Sequence, residues 1–216
     1  MPRNRQTNKS SKPYKKPTQD RSQFTVDAIV EAAIQVFEEY GYAAGTTTRI
    51  AERAGVSIGS LYQYFPNKDS ILVAIAEHHL EECQIAAMQL LTKAQNQPQT
   101  LETAIRLFVE GAVTLHTQNP KLHQLLSEEI PLPESIWQEF EALEQELVNQ
   151  ITQLLSLHPQ VTTRNIELSA YVVVQIVEAM AHKLVLHPSN QHHLTNCIDE
   201  IVLILLRYLS NEQTSI

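Results

Sequence analysis

Between Ile58 and Phe65 the chain reads Ile-Gly-Ser-Leu-Tyr-Gln-Tyr-Phe, and Lys68 follows three residues later. Wound as a helix, Leu61, Phe65 and Ile58 share one face, while Gly59, Ser60 and Gln63 share the opposite one. Tyr62 and Tyr64 stand on the two shoulders. A helix meant for water would carry Glu and Lys where this one carries Gly, Ser and Gln. The chemistry these types can do is groove recognition. Small residues let a backbone come close, the Gln63 amide matches adenine N6 and N7, and tyrosine hydroxyls reach phosphates on either side. Lys68 and the free N–H groups opening the next helix add a phosphate site. Thr47 and Thr48, at the start of a preceding short helix, are placed to touch the nucleic-acid backbone. Tyr62 and Tyr64 also suit half-buried packing positions. Ile58 points inward by angle, yet its first-turn position also lets it face outward, so both readings stand.

These side chains need three short elements to hold them. A first helix follows Thr25 as N-cap, buries Ile29, Ala33, Val36, Phe37 and Tyr40 on one face, and stops at Gly41. Thr46, Thr47 and Thr48 open a second helix with Ile50, Ala51 and Ala54 inward. Gly55 breaks it, and Ser57 caps the third. Helix, glycine turn and helix together make a helix-turn-helix. Pro66-Asn67 ends the third helix and starts a fourth, with Asp69 favourably near its N-terminus. Further helices are expected over roughly 68–94, 100–117, 121–127, 133–156, 163–186 and 191–209, separated by prolines.

Composition agrees with an all-α chain. Only five glycines occur in 216 residues, with few β-branched alternating runs. Cys83 and Cys197 lie far apart, which is no disulfide framework and suits a reducing cytoplasm. No signal-peptide pattern opens the chain, and the longest purely apolar run, Ile201 to Leu206, has six residues, so no membrane partner is expected. The net charge of −8 is uneven: residues 1–22 carry +6, residues 1–70 carry +3 and the remainder −11. A basic end facing a polyanion and an acidic body that avoids it fit this split, as does a merely solubilising basic tail.

The run TTTRIAERAGVSIGSLYQYFPNKDSIL, preceded by AAIQVFEEYGY, resembles the N-terminal domain of the TetR family of transcriptional regulators over about residues 22–82. Gly41, the threonine cluster, Ala54-Gly55-Val56-Ser57, Leu61-Tyr62, Tyr64-Phe65 and Lys68 carry the resemblance. It implies a three-helix head that binds DNA and a remaining helical body that binds a small effector and forms the dimer. The implied DNA contacts are Thr47, Thr48, Gly59, Ser60, Tyr62, Gln63, Tyr64 and Lys68, with Ile58 at their edge. Domains are accordingly expected at 1–21 (a disordered basic arm), 22–82 (the head) and 83–216 (the body).

In the body, the segments 171–186 and 197–209 are apolar on more than one stripe, so two sides must be covered: the chain's own core and a symmetric partner. The homodimer is therefore expected through helices near 163–186 and 191–209. Met88, Ile105, Phe108, Leu115, Trp137 and Phe140 are candidate effector-lining residues, with Arg106, Glu110, His116, Glu128 or Glu129 as polar contacts. The i, i+4 pairs His79/Cys83 and His193/Cys197 lack a third ligand at a recognisable spacing, so no metal or cofactor is assigned. The expected function is a sequence-specific regulator, a repressor released from a palindromic operator by a small molecule. Alternatives are a non-specific architectural nucleic-acid binder driven by the arm, or a helical hydrolase or metal enzyme. The enzyme reading finds no nucleophile elbow, phosphate loop or paired metal motif to stand on.

Overall fold

Among the described residues nine helices follow one another without a strand: α1 (Asp20–Ala44), α2 (Thr47–Arg53), α3 (Ile58–Tyr64), α4 (Lys68–Asn96), α5 (Leu101–Gln118), α6 (Pro120–Gln124), α7 (Glu134–Leu157), α8 (Ile166–Leu186) and α9 (Leu194–Ser210). The computed structural model describes residues 20–96, 100–126, 132–188 and 192–210. The basic arm up to residue 19, and Glu128 and Glu129, lie outside them.

Local chemistry sets most helix starts. Side-chain oxygens of Thr46, Ser57, Thr100 and Asn165 each accept from the backbone N–H three residues on, at 3.3, 3.0, 3.2 and 2.9 Å. Each satisfies a donor that the first helical turn leaves without a partner. Asn67 and Ser70 cap α4 reciprocally: Ser70 N–H donates to Asn67 Oδ1 at 2.8 Å and Asn67 N–H donates to Ser70 Oγ at 3.3 Å.

Several boundaries differ from the expected ones, α9 for instance starting at Leu194 instead of 191, and two of the shifts have a visible local cause. Helix α1 begins at Asp20, so Thr25 lies inside it rather than capping it. Gln23 and Asp27 are hydrogen-bonded at 2.8 Å, an i, i+4 pair that supports this extra turn. Helix α8 starts at Ile166 instead of 163, because Asn165 takes the cap while the Thr163 hydroxyl bonds Ser169 Oγ at 2.6 Å.

The chain divides into two compact units, residues 1–80 with 124–138, and residues 81–123 with 139–216. In the first, Ile29, Ala33, Val36 and Phe37 of α1, Ile50 and Ala51 of α2, Leu61 of α3, Phe65, and Ile71, Leu72 and Ile75 of α4 are all buried. In the second, one apolar cluster joins Leu101, Ile105, Val109, Ala112 and Val113 of α5 to Val148, Ile151 and Leu155 of α7. Ala170, Val173, Val174, Val177 and Ala181 of α8 and Ile201, Val202, Leu205 and Leu209 of α9 complete it. The three- and four-residue spacings are what an amphipathic helix needs to present one stripe inward. Helix α8 is long and apolar enough to cross a bilayer by composition alone, but that inward stripe is part of this core.

Gly41 carries φ 71° and ψ 164°, a conformation open essentially to glycine, and breaks α1 before its last turn. Gly41→Ala should therefore destabilise the protein by about 1–3 kcal/mol although no atom lies within 4 Å of the added methyl. Urea unfolding of the two proteins checks this; an unchanged midpoint would show that the strain is not there.

Candidate nucleic-acid interface

Helices α2 and α3 meet at Gly55, whose φ of 67° lets the chain reverse while the Val56 N–H closes on the Ala51 carbonyl at 3.0 Å. Leu61 and Phe65 are wholly buried, so the turn of α3 about its own axis is determined. The side opposite carries the expected set. Gly59, Tyr62 and Gln63 are exposed, and Ser60 and Tyr64 are half-buried. The two readings of Ile58 resolve outward, at 41 % exposure, because in the first turn it lies beyond the reach of the apolar interior.

Hydrogen bonds organise this surface. The Tyr62 hydroxyl lies 3.0 Å from Thr47 Oγ1, so the flank of α3 is tied to the start of α2, where Thr48 is exposed beside it. Ser57 and Ser60 hydroxyls are 2.8 Å apart. Two arginines of α2 are engaged by α1: Arg53 Nη2 donates to Glu39 Oε2 at 2.5 Å, and the Arg49 guanidinium lies 4.2 Å over the Tyr40 ring. Lys68 is half-buried rather than extended into solvent. Its ammonium donates to the Tyr42 carbonyl at 2.5 Å and sits 4.0 Å over the Tyr42 ring.

Gly59 has no intramolecular reason to be glycine. Its φ is not positive, and an added Cβ would come no nearer than 3.8 Å to Ser57 Oγ. A glycine in a helix costs about 0.5–1 kcal/mol relative to alanine, so its use here points to something that approaches from outside. Gly55-Val56-Ser57-Ile58-Gly59 does have the Gly-x-Ser-x-Gly spacing of a nucleophile elbow. The elbow requires a strand-to-helix turn, whereas this one joins two helices and its Ser57 Oγ caps α3.

The candidate effector residues are scattered by comparison. Ile105 belongs to the apolar core of the second unit, Phe108 packs against that core, and Leu115 and Phe140 are half-buried. Met88 is 70 % exposed, on the outward side of α4 with Ile85, so in one chain it does not face an enclosed cavity. Trp137 is 40 % exposed and belongs to the first unit. Arg106 is held by Asp199 at 2.6 Å and flanked by Glu102 and Glu110.

A polar cluster that no periodicity announces lies in the second unit. His116 is buried, and its Nδ1–H donates to the Ala112 carbonyl at 2.8 Å, which leaves Nε2 as the acceptor. The His123 ring stacks on it at 4.4 Å, His182 meets it edge-on at 5.9 Å, and Glu178 Oε2 lies 3.8 Å from Nε2. Burial holds the His116 imidazole below its ordinary value, against the raising effect of the Ala112 bond. Burial, then the Glu144 charge, push the Glu178 carboxyl up to about 7. Its open edge, 43 % of the side chain, lets solvent screen part of that shift. The Cys83 thiol is pushed up to about 12, chiefly by burial and then by the Glu178 charge, and so stays protonated.

The two shifts act with opposite signs on stability. Folded Glu178 keeps its proton where the unfolded chain has released it, so its contribution is present below pH 4.5 and is lost as pH rises towards 7. Folded His116 stays neutral where the unfolded chain binds a proton, so its contribution is lost as pH falls below 6.5. Glu178→Gln should thus raise the urea midpoint above pH 7 and change it little near pH 4.5. Parallel wild-type and variant curves across pH 4.5–8 would contradict this.

Known proteins share both the sequence and the arrangement. Residues 29–75 match bacterial regulatory proteins of the tetR family, and residues 100–209 match the tetracyclin repressor-like C-terminal domain. The chain is 28 % identical over 141 residues to the nucleoid occlusion factor SlmA of Haemophilus influenzae, a match spanning 62 % of each protein. It is 34 % identical over 82 residues to the HTH-type transcriptional activator FasR of Mycolicibacterium smegmatis, spanning 38 % of this chain and 37 % of that one. Among solved structures, NalD, the secondary repressor of the MexAB-OprM multidrug efflux pump in Pseudomonas aeruginosa, superposes with a TM-score of 0.69 at 19 % identity. That likeness covers 90 % of this chain and 100 % of NalD. FadR from Bacillus subtilis in complex with stearoyl-CoA gives 0.63 at 18 % identity, over 83 % and 97 % of the two chains. These structural likenesses establish a common fold. With the helix-turn-helix head inside one matched segment and more than half of the chain inside the other, the protein belongs to the TetR family of DNA-binding transcriptional regulators.

Proposed function

We propose that the protein acts in the cytoplasm as a homodimeric repressor that reads a palindromic operator through α3 and releases it when a small-molecule effector binds the C-terminal body. The observation that carries the DNA-reading part is Gly59, exposed at the centre of the outward face and required by nothing within the chain. On this reading Gly59 and Ser60 let the α3 backbone approach the base edges, and Gln63 pairs with one of them. Tyr62, Tyr64, Thr47 and Thr48 contact phosphates, Lys68 joins them when its ammonium turns from the Tyr42 carbonyl, and Ile58 makes apolar contact at the helix start.

A second copy is supported by apolar surface that one chain leaves open. Leu168, Tyr171 and Met180 of α8 and Leu203, Ile204 and Tyr208 of α9 are all exposed. Pairing these helices across a two-fold axis would cover that surface. A palindrome would then demand that the two recognition helices of the pair stand about 34–36 Å apart, one turn of duplex.

For the effector, half-buried Phe108, Leu115 and Phe140 suit a lining role, and Met88, Ile105 and Trp137 are supported least. The His116, His123, His182 and Glu178 cluster supplies a polar end in an otherwise apolar interior. An apolar or aromatic compound is the expected class. Stearoyl-CoA is a rational first probe, since it occupies the Bacillus subtilis protein of the same fold. Whatever binds must favour the DNA-incompetent shape, and it can shift the equilibrium by no more than its differential affinity.

Selection of bound duplexes from random DNA tests the reading: a palindrome should emerge, and a candidate effector should release it. Recovery of sequences without any preference would instead mark an architectural binder. On the selected duplex, Gln63→Ala should lose about 1–3 kcal/mol and relax preference at one base pair. Gly59→Ala should stabilise the head by up to about 1 kcal/mol while weakening the same duplex. A Gly59→Ala protein that binds as tightly as wild type would remove the main support for close approach. Ile204→Glu should convert a dimer into a monomer in light scattering and cut operator affinity; a variant still dimeric would exclude this face of α9 from the contact.

A further inference from the structure

We propose that Tyr42 is a positioning residue for DNA binding: with Lys68 and Asp69 it forms a latch that fixes where α2 begins relative to the first turn of α4. The proposal rests on the reading of the head as an operator reader and adds a residue to it.

Tyr42 follows the break at Gly41 and precedes the α2 cap Thr46 by four residues. Contacts from a distant part of the chain converge on it. Its hydroxyl donates to Asp69 Oδ1, 27 positions on. Its ring face carries the Lys68 ammonium 4.0 Å from the centroid, and its own carbonyl accepts from that ammonium at 2.5 Å. The Ala43 carbonyl lies 3.5 Å from the same nitrogen. Beneath, the ring packs 5.2 Å from that of Phe37, which is buried.

Each contact has a physical reason. Carbonyls in the last turn of a helix have no helical partner and sit at the negative end of its dipole, so an ammonium satisfies them twice over. Asp69 occupies the positive first turn of α4, where a carboxylate is favoured. Burial, and after it the bond to Asp69, hold the Tyr42 hydroxyl far above its ordinary range, so it remains a donor at every physiological pH. Tyr42 thereby connects the end of one helix to the start of another: its hydroxyl donates to a charged acceptor and its main-chain carbonyl accepts from a charged donor, which are the stronger kinds of hydrogen bond.

What the latch holds is the DNA-facing edge. Three residues separate Tyr42 from Thr46, whose hydroxyl caps α2, and Thr47 is bonded to Tyr62 on the flank of α3. Loss of the Tyr42 hydroxyl frees the entry to α2 without removing any charge. A residue that acts only through position should therefore change discrimination between DNA sequences and leave the salt dependence alone. Lys68, by contrast, carries an ammonium that can donate to a phosphate and neutralise its charge, so its removal should reduce both.

The test uses the full chain with two fluorescein-labelled duplexes, the palindrome selected by the wild-type protein and a scrambled control. Tyr42→Phe keeps the ring under Lys68 and should bind the selected duplex about tenfold more weakly, with control affinity and salt slope unchanged. Amide exchange over residues 46–53 of the free protein should quicken. Asp69→Ala should reproduce both effects, and Asp69→Asn, which still offers the hydroxyl an acceptor, should largely restore binding. If Tyr42→Phe loses helix content, the Asp69 pair decides the matter by the same readouts. Unchanged discrimination together with unchanged exchange overturns the proposal, and so does equal weakening on both duplexes. A wild-type protein without sequence preference would defeat the operator reading, while the exchange comparison would still judge the latch.

Discussion

Helix α3 has seven residues, too few to persist in water on its own, since isolated helices below about 12–15 residues are marginal even with the best sequences. Its existence and its orientation both depend on burying Leu61 and Phe65 against the head's interior. Burial of such side chains contributes about 1.5–3 kcal/mol each, which is enough to hold one turn in place. Because those two positions face inward, Gly59 and Gln63 must face outward. The chemistry the head can offer to a duplex follows from that single constraint.

The head and the body answer to different physics. The head keeps polar groups on its outer side and stiffens them with side-chain hydrogen bonds: Thr47 to Tyr62, Ser57 to Ser60, Tyr42 to Asp69. The body's core is almost wholly aliphatic, and its wide stripes on α8 and α9 leave large apolar side chains uncovered in a single chain. Such exposure would be covered by the proposed pairing with a second copy. The cluster around His116 is the exception within that core, and buried titratable groups of this kind are costly unless they are paired or used.

Much of the head could be read before any coordinates, because its signals are local. A cap oxygen reaches only three residues ahead, so Thr46, Ser57 and Asn67 announced the starts of α2, α3 and α4. The inward face of α3 followed from helical spacing alone. Where the reading failed, a competing local interaction or a long-range one decided. Thr25 is a reasonable cap, but Asp20 to Phe24 extend the helix in front of it. Ile58 obeys its angle only where there is an interior to receive it. Lys68 is expected from its spacing to meet a phosphate, and no local spacing shows that its nearest acceptor within the chain is a carbonyl 26 positions earlier.

By itself, then, the sequence determined which segments are helical, which face of each is apolar, where the head's glycine turn falls, and which family the chain joins. The first three depend on neighbours within a turn or two, where covalent spacing dictates geometry, while the family came from the resemblance of a whole run of residues to known proteins. Tertiary structure decided what no spacing encodes. It brought Tyr42 under Lys68, and it assembled His116, His123, His182 and Glu178 from α5, α6 and α8. Helices α5 and α8 meet there because their apolar stripes pack together, and the polar groups are carried along by that packing. A side chain's charge state and partners depend on who arrives from elsewhere in the chain, and the order of residues along it does not record that.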